Sequence, residues 1–203
     1  MEGAPADHPT LAPEVLLAAY AEGGFPMDEE GARGAVGLYT CDPRGVLPIH
    51  GFQVPRSVRR ALRARRYAIR VDGAFGEVAA ACAGTRKGGT WLTPRLVAAY
   101  VRLHRTGWAH SVEAWDGDRL VGGLFGIALG GLFTSETMFH RAPDAGNAAL
   151  VGAAGLLAEA GFALWDIQMT SPHTLRFGAI AIPPEEYRRR LAAALAVRPR
   201  PLA

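Results

Sequence analysis

The sequence predicts an α+β protein, a mixed sheet covered by helices and preceded by a small N-terminal unit. Three observations carry this. Strand-length and helix-length apolar segments alternate along most of the chain, as they do when helices cover a sheet. Three strand-like segments, 110–115, 119–129 and 132–139, follow one another with only short turns between them, so part of the sheet is antiparallel. The first part of the chain breaks this rhythm with a helix, a Gly-rich acidic stretch and a short strand. This divides the chain into an N-terminal unit, 1–47, and a main domain, 48–203.

Each element has its own signal. Residues 1–10 hold Pro, Ala and Asp without periodicity and predict disorder. Residues 11–22 read as a helix stopped by Gly23-Gly24, with Phe25-Pro26 as an extended exit. A Gly-rich loop at 28–37 leads to a short strand at 38–40 and a turn at Asp42-Pro43-Arg44-Gly45. Strands are predicted at 45–49 and 67–71. Helices are predicted at 56–65, where Pro55 precedes the first turn, and at 75–83. The spacing predicts a longer helix over 93–106, with Thr93 as N-cap, Pro94 in the first position and Gly107 as stop. Asp116-Gly117-Asp118 turns the first hairpin, and Gly130-Gly131 the second. An Ala/Leu helix at 147–160 ends at Gly161. A strand at 163–168, a short helix at 172–177, a strand at 179–182 and a helix at 183–196 complete the chain. The last helix carries Glu185 and Glu186 in its first turn.

Composition limits the function classes. The 203 residues are nearly half apolar, enough for a real core. No apolar run reaches the roughly 18 residues of a membrane span, and the N-terminus lacks the pattern of a signal peptide. Cys41 and Cys82 are the only cysteines, which fits a reducing cytosol. No Cys or His spacing predicts a zinc site. No phosphate loop, nucleophile elbow or dinucleotide fingerprint occurs. The net charge is only +3, carried almost entirely by arginine, with Lys87 the sole lysine. Arg56, Arg59, Arg60 and Arg63 recur on one helix face, followed by Arg65 and Arg66. Such a stripe is either a solvated face or a track for nucleic-acid phosphates.

Two segments place acid or amide groups among apolar neighbours. In a regular strand Asp166 and Gln168 share one face, where a carboxylate and a carboxamide could hold an amine or a carbonyl. Taken alone, a solvated strand end explains them too, since strand ends often carry Asp. Glu136, in Ser135-Glu136-Thr137-Met138-Phe139, shares a face with Leu132, Thr134 and Met138 unless a bulge intervenes. It is either a carboxylate at the mouth of an apolar pocket or a partner for a core arginine such as Arg141 or Arg176. Trp91 could stack on a base or anchor packing. His110, His140 and His173 show neither triad nor metal spacing. Gly122, Gly123 and Gly126 mark close backbone approach within a strand.

In order, these motifs resemble the leucyl/phenylalanyl-tRNA–protein transferases. The matching segments are residues 16–27, the Asp42-Pro43-Arg44-Gly45 run to Pro48, Pro55 to Arg60, Thr90-Trp91-Leu92-Thr93, His110 to Trp115, Leu120 to Phe139, Asp166-Ile167-Gln168 and Arg176 to Ala179. The resemblance implies an acetyltransferase-like main domain. It implies an enzyme that moves Leu or Phe from aminoacyl-tRNA to the N-terminal amine of proteins beginning with Lys or Arg, marking them for degradation. Met is a further candidate donor. Asp166 and Gln168 match the family's proposed catalytic pair, and Glu136 and Met138 its acidic and apolar pocket motif. The expected donor slot is lined by Leu124, Phe133, Met138 and Leu157, with Trp91 near the terminal adenine. Arg56, Arg59, Arg60 and Arg63 are expected on the acceptor-stem phosphates. A cytoplasmic monomer needing neither cofactor nor metal follows from the same reading. The rival readings are an acetyl-CoA-dependent amine acetyltransferase and a non-catalytic aminoacyl-tRNA or peptide binder. Against acetyl-CoA, no Arg/Gln-x-x-Gly-x-Gly/Ala turn opens a helix.

Overall fold

The central sheet has seven strands in the order β4-β5-β6-β7-β8-β3-β9. A computed structural model describes residues 9–28, 36–64, 67–84 and 91–202. The expectations for residues 1–8, 29–35, 65–66 and 85–90, including Lys87 and Thr90, lie outside the described residues. After a single 3₁₀ turn the elements run α1 (Pro13–Ala21), β1 (Phe25–Met27), β2 (Gly37–Tyr39), β3 (Arg44–Leu47), α2 (Arg56–Arg63), β4 (Ala68–Val71), α3 (Phe75–Ala83) and α4 (Pro94–Arg105). They continue with β5 (Ala109–Asp116), β6 (Arg119–Leu129), β7 (Leu132–His140), α5 (Ala145–Ala160), β8 (Leu164–Gln168), α6 (Pro172–Leu175), β9 (Ile180–Ile182) and α7 (Pro184–Leu195). The α+β class and the mixed sheet agree with the sequence reading. No helix among the described residues is long and apolar enough to cross a membrane.

All pairings in the sheet are antiparallel except β7 with β8, which the helix α5 joins as a crossover. Strand alternation divides the core between the two faces. Leu16, Tyr20, Val78, Leu96 and Tyr100 of α1, α3 and α4 pack with Phe125, Ile127 and Phe139. Val58 of α2 and Leu150 and Leu157 of α5 pack with Val112, Leu124 and Phe133. A third cluster joins Tyr187 and Leu191 of α7 to Val46, Leu132 and Leu164.

Three local readings change. The Phe25-Pro26 exit is strand β1, paired with β2 as a separate ribbon. Residues 44–47, at the end of the expected N-terminal unit, form β3 and lie inside the main sheet between β8 and β9. Thr93 occupies the N-cap of α4 without capping it. Its hydroxyl instead donates to Asp28 Oδ2 at 2.5 Å, and Arg95 holds the same carboxylate at 2.5 Å through Nε and Nη2. That buried cluster ties the chain after β1 to α4. Cys41 and Cys82 are free thiols, the latter buried and pushed up to about 12 by desolvation.

Candidate active site

The site begins where β6 and β7 fall out of step. Gly126 pairs with Ser135 and Phe125 with Thr137, so Glu136 is the extra residue of a β-bulge. Gly126 permits it: a Cβ there would stand 2.4 Å from the Thr134 carbonyl oxygen. The bulge overturns the regular face partition. Glu136 is released from the ladder and buried, only 9% exposed. Its partners are not Arg141 or Arg176 but two tyrosines. Tyr20 of α1 donates to Oε1 at 2.7 Å and Tyr100 of α4 to Oε2 at 3.0 Å. Arg141 instead lies over the Phe139 ring.

The two tyrosine oxygens are also 2.8 Å apart, which closes a ring of three short O···O contacts. Two hydroxyls supply two hydrogens; a proton on the carboxyl supplies the third, with Oε2 then donating to Tyr100 and Tyr100 to Tyr20. The electrostatics agree. Desolvation pushes the Glu136 carboxyl up to about 7, opposed by the tyrosine hydrogen bonds and reinforced by the charge of Asp166. Burial likewise raises both tyrosine hydroxyls well above their ordinary value.

The second half of the site is β8. Gly45 pairs with Gln168 but Val46 with Asp166, so this ladder also slips a residue, at Ile167. Gln168 takes up the slip at φ 56, in the left-handed region. The expectation that Asp166 and Gln168 present side chains on one face therefore fails, for want of a regular strand. They are joined differently: the Gln168 backbone N–H donates to Asp166 Oδ1 at 2.8 Å. The Asp166 carboxylate is 0% exposed. Oδ1 also accepts from Arg44 Nε at 2.9 Å, and Oδ2 accepts from Arg44 Nη2 at 2.5 Å and the Tyr187 hydroxyl at 2.7 Å.

The parallel pairing of β7 with β8 runs only from Leu132/Leu164 to Thr134/Asp166. Beyond it, where β7 continues to His140, lies a cavity of about 130 Å³ lined by Leu47, Leu124, Ser135, Glu136, Thr137, Met138, Leu150, Ile167, Gln168 and Thr174. Gln168 Nε2 is buried here without a hydrogen-bond partner among the described residues. An orphaned amide in an apolar slot costs free energy unless a ligand meets it. The slot thus pairs apolar walls with an unpartnered carboxamide and a carboxyl that can hold or release a proton near neutrality.

The sequence-derived site divides on this geometry. Glu136, Met138, Leu124 and Gln168 line the cavity, and Asp166 stands behind it. Phe133 and Leu157 are buried in the core on the α5 side and are not in its lining. Leu47 and Leu150 hold those places instead. Trp91 is half-buried against the α3/α4 core and also lies outside the lining. Arg56, Arg59, Arg60 and Arg63 are exposed and, with Ser57, line an open groove of about 480 Å³. Among the described residues none of the four has a carboxylate partner. His173 Nε2 meets Asn147 Oδ1 at 2.8 Å beside His140, in a polar groove that shares Met138 with the cavity. His110 meets Asp72 at 2.7 Å. Among the described residues no group of three or more His, Cys, Asp or Glu could hold a metal ion.

Sequence reasoning missed Tyr20, Tyr100, Arg44 and Tyr187. The tyrosines carry no motif of their own, although a buried hydroxyl asks for a partner. Arg44 was hidden inside a turn motif.

Over most of its length the chain is similar to known proteins. Residues 46–192 match the family model described as leucyl/phenylalanyl-tRNA protein transferase. The chain is 49% identical over 180 residues to a leucyl/phenylalanyl-tRNA–protein transferase of Nitratidesulfovibrio vulgaris, covering 87% of this chain and 76% of that protein. It is 47% identical over 186 residues to the protein of the same name from Rubrobacter xylanophilus, covering 91% and 95%. The solved structure of L-PGS from Bacillus licheniformis overlays with a TM-score of 0.40 at 14% identity, over 88% of this chain and 61% of that one.

Proposed function

The chain belongs to the leucyl/phenylalanyl-tRNA–protein transferase family and is an aminoacyltransferase; from that premise we propose that it joins Leu or Phe from aminoacyl-tRNA to the N-terminal amine of cytosolic proteins beginning with Lys or Arg, marking them for degradation. The observation that carries this reading is the slot itself, with apolar walls, the orphaned Gln168 amide and the buried Glu136 carboxyl.

The donor is already an activated ester, so the protein must supply placement and charge stabilisation. The acceptor nitrogen attacks the ester carbonyl carbon, and the bond to the ribose oxygen breaks as the amide bond forms. The amine proton ends on the departing ribose hydroxyl. In the tetrahedral intermediate the attacking nitrogen and the developing oxyanion sit on one carbon. A carboxamide matches that pair, accepting from the nitrogen through Oε1 and donating to the oxyanion through Nε2. Gln168 takes this role, a modest contribution to proton removal plus an oxyanion contact. Leu124, Met138 and Leu150 receive the donor side chain, with Met138 adapting between Leu and Phe.

Glu136 suits a cationic acceptor. Burial holds its carboxyl up near 7, and an incoming Lys or Arg charge favours the ionised form. Binding a cation thus relieves part of the cost of burying the carboxylate. The Arg56–Arg63 face holds the acceptor-stem phosphates without reading sequence.

The test is transfer from charged Leu-tRNA to an Arg-starting peptide, followed by mass. Elongation by one Leu is expected, with turnover strongly reduced in Gln168→Ala and with Glu136→Gln discriminating less between Arg-starting and neutral acceptors. No transfer from Leu-, Phe- or Met-tRNA would remove the reading.

A further inference from the structure

Arg44 is 1% exposed and wholly committed. Its Nε and Nη2 grip both oxygens of Asp166, and its Nη1 donates to the Gly23 carbonyl at 2.7 Å. Its guanidinium lies 4.6 Å from the Tyr187 ring centroid and 5.2 Å from that of Phe25. Four groups, from the turn after α1, from β1, from β8 and from α7, fix the one planar cation that β3 carries. A fork of this kind gives orientation as well as charge.

Asp166 accepts four hydrogen bonds, all from the protein. That fills the four lone-pair directions of a carboxylate. Its charge is balanced by Arg44, and its surface is closed to substrate. What it can still do is hold the Gln168 backbone. A left-handed residue other than glycine is strained and persists only when its surroundings over-determine it. Two constraints do so here. The Gln168 N–H is held by Asp166 Oδ1, the same oxygen that Arg44 Nε holds. Across the ladder stands Gly45, where a Cβ would lie 2.6 Å from the Met169 carbonyl carbon and 2.7 Å from Thr170 N. The backbone beyond Gln168 is thus pressed against the residue next to Arg44.

We propose that Arg44 is a positioning residue of the transfer reaction, which acts through Asp166 to fix the backbone at Gln168 and so aims the Gln168 amide into the cavity. This rests on the reading of Gln168 as the group that meets the reacting atoms. It assigns Asp166 a role in placement rather than contact with the amine.

The test is steady-state transfer from Leu-tRNA to an Arg-starting peptide, normalised to folded protein by circular dichroism, in Arg44→Lys, Gln168→Ala and the double variant. Lysine keeps the charge and loses the fork. Arg44→Lys should lower kcat by about tenfold to a hundredfold, the scale of a 1 Å misplacement, while KM for the charged tRNA stays within about twofold. In the Gln168→Ala background the same change should cost nothing further, because groups acting through one another do not add. If Arg44→Lys does not fold, Tyr187→Phe serves. It keeps a ring over the guanidinium, removes one bond to Asp166 Oδ2, and should show a smaller loss with the same cancellation. A lower melting temperature with unchanged kcat per folded molecule would overturn the proposal. So would an undiminished effect in the Gln168→Ala background. Full activity in Gln168→Ala would remove the reading of Gln168, and this inference with it. Loss in Gln168→Ala without loss in Arg44→Lys or Tyr187→Phe would remove the Arg44 proposal alone.

Discussion

Replacing Glu136 by glutamine should make the protein more stable at alkaline pH, although it deletes a buried hydrogen-bonded group. In the unfolded chain this carboxyl loses its proton near 4.5; in the folded protein it keeps it to about 7. Between those values the folded state binds more protons than the unfolded one, so stability falls as pH rises. The cost is absent below about 4.5, grows through the window and is complete above about 7. At about 1.4 kcal/mol per pH unit the gap amounts to about 3 kcal/mol. Glutamine does not titrate, and it completes the ring with Tyr20 and Tyr100 as the protonated acid does, donating to one hydroxyl and accepting from the other. The assay is urea unfolding of both proteins at fixed ionic strength from pH 4.5 to 8.5. The difference variant minus wild type should rise by about 3 kcal/mol across that range, since all other titrations cancel. Parallel stability curves, or a difference that falls with pH, would refute the reasoning.

Other consequences can be checked separately. Ile and Val donors should transfer poorly beside Leu, because branching at Cβ crowds the mouth of a cavity of about 130 Å³; equal initial rates for Leu- and Ile-tRNA would exclude a shape-selecting slot. Met138→Ala widens that slot and should raise the Phe-to-Leu rate ratio in a competition assay. Neutralising any one of Arg56, Arg59, Arg60 or Arg63 should reduce the slope of log affinity against log salt by about one, equally for Leu- and Phe-tRNA, as filter binding would measure. Gly45→Ala puts a methyl into backbone and should cost about 1–3 kcal/mol of stability, with a fall in kcat that exceeds the change in KM.

What was legible in the sequence was whatever is written locally. Pro94 and Gly107 bracket α4, Asp116-Gly117-Asp118 turns β5 into β6, and Gly161 closes α5, each near its predicted place. Glu136 and Gln168 were legible as exceptions to an apolar pattern, Met138 and Leu124 through the family resemblance, and the four line one cavity. The bulges were not, since a bulge belongs to two strands and only the partner's register reveals it. Nor was the pairing of Arg44 with Asp166, 122 residues apart. Thr93 looked like a cap by its place before Pro94, yet Asp28, 65 residues away, takes its hydroxyl. Phe133 of β7 and Leu157 of α5 were apolar in the right segments but face the core, because an apolar pattern does not say which buried face meets a cavity.

The position of β3 has a consequence for how the molecule comes into being. A strand made early in synthesis is flanked in the finished sheet by β8 and β9, both made near the end. Until they emerge, Val46 and Leu47 have no sheet to enter and Arg44 has no carboxylate. The loop between Arg44 and Asp166 must close before either is neutralised, and closure of long loops is what slows folding. The cavity around Gln168 therefore forms last, after the β5–β6–β7 meander can already stand. Pulse-labelling during refolding should show amides of β6 protected before those of β3, and the opposite order would contradict this sequence of events. A chain arrested before β8 would carry β4 to β7 and lack both Asp166 and Gln168. In that sense the fold defers activity until synthesis is nearly complete.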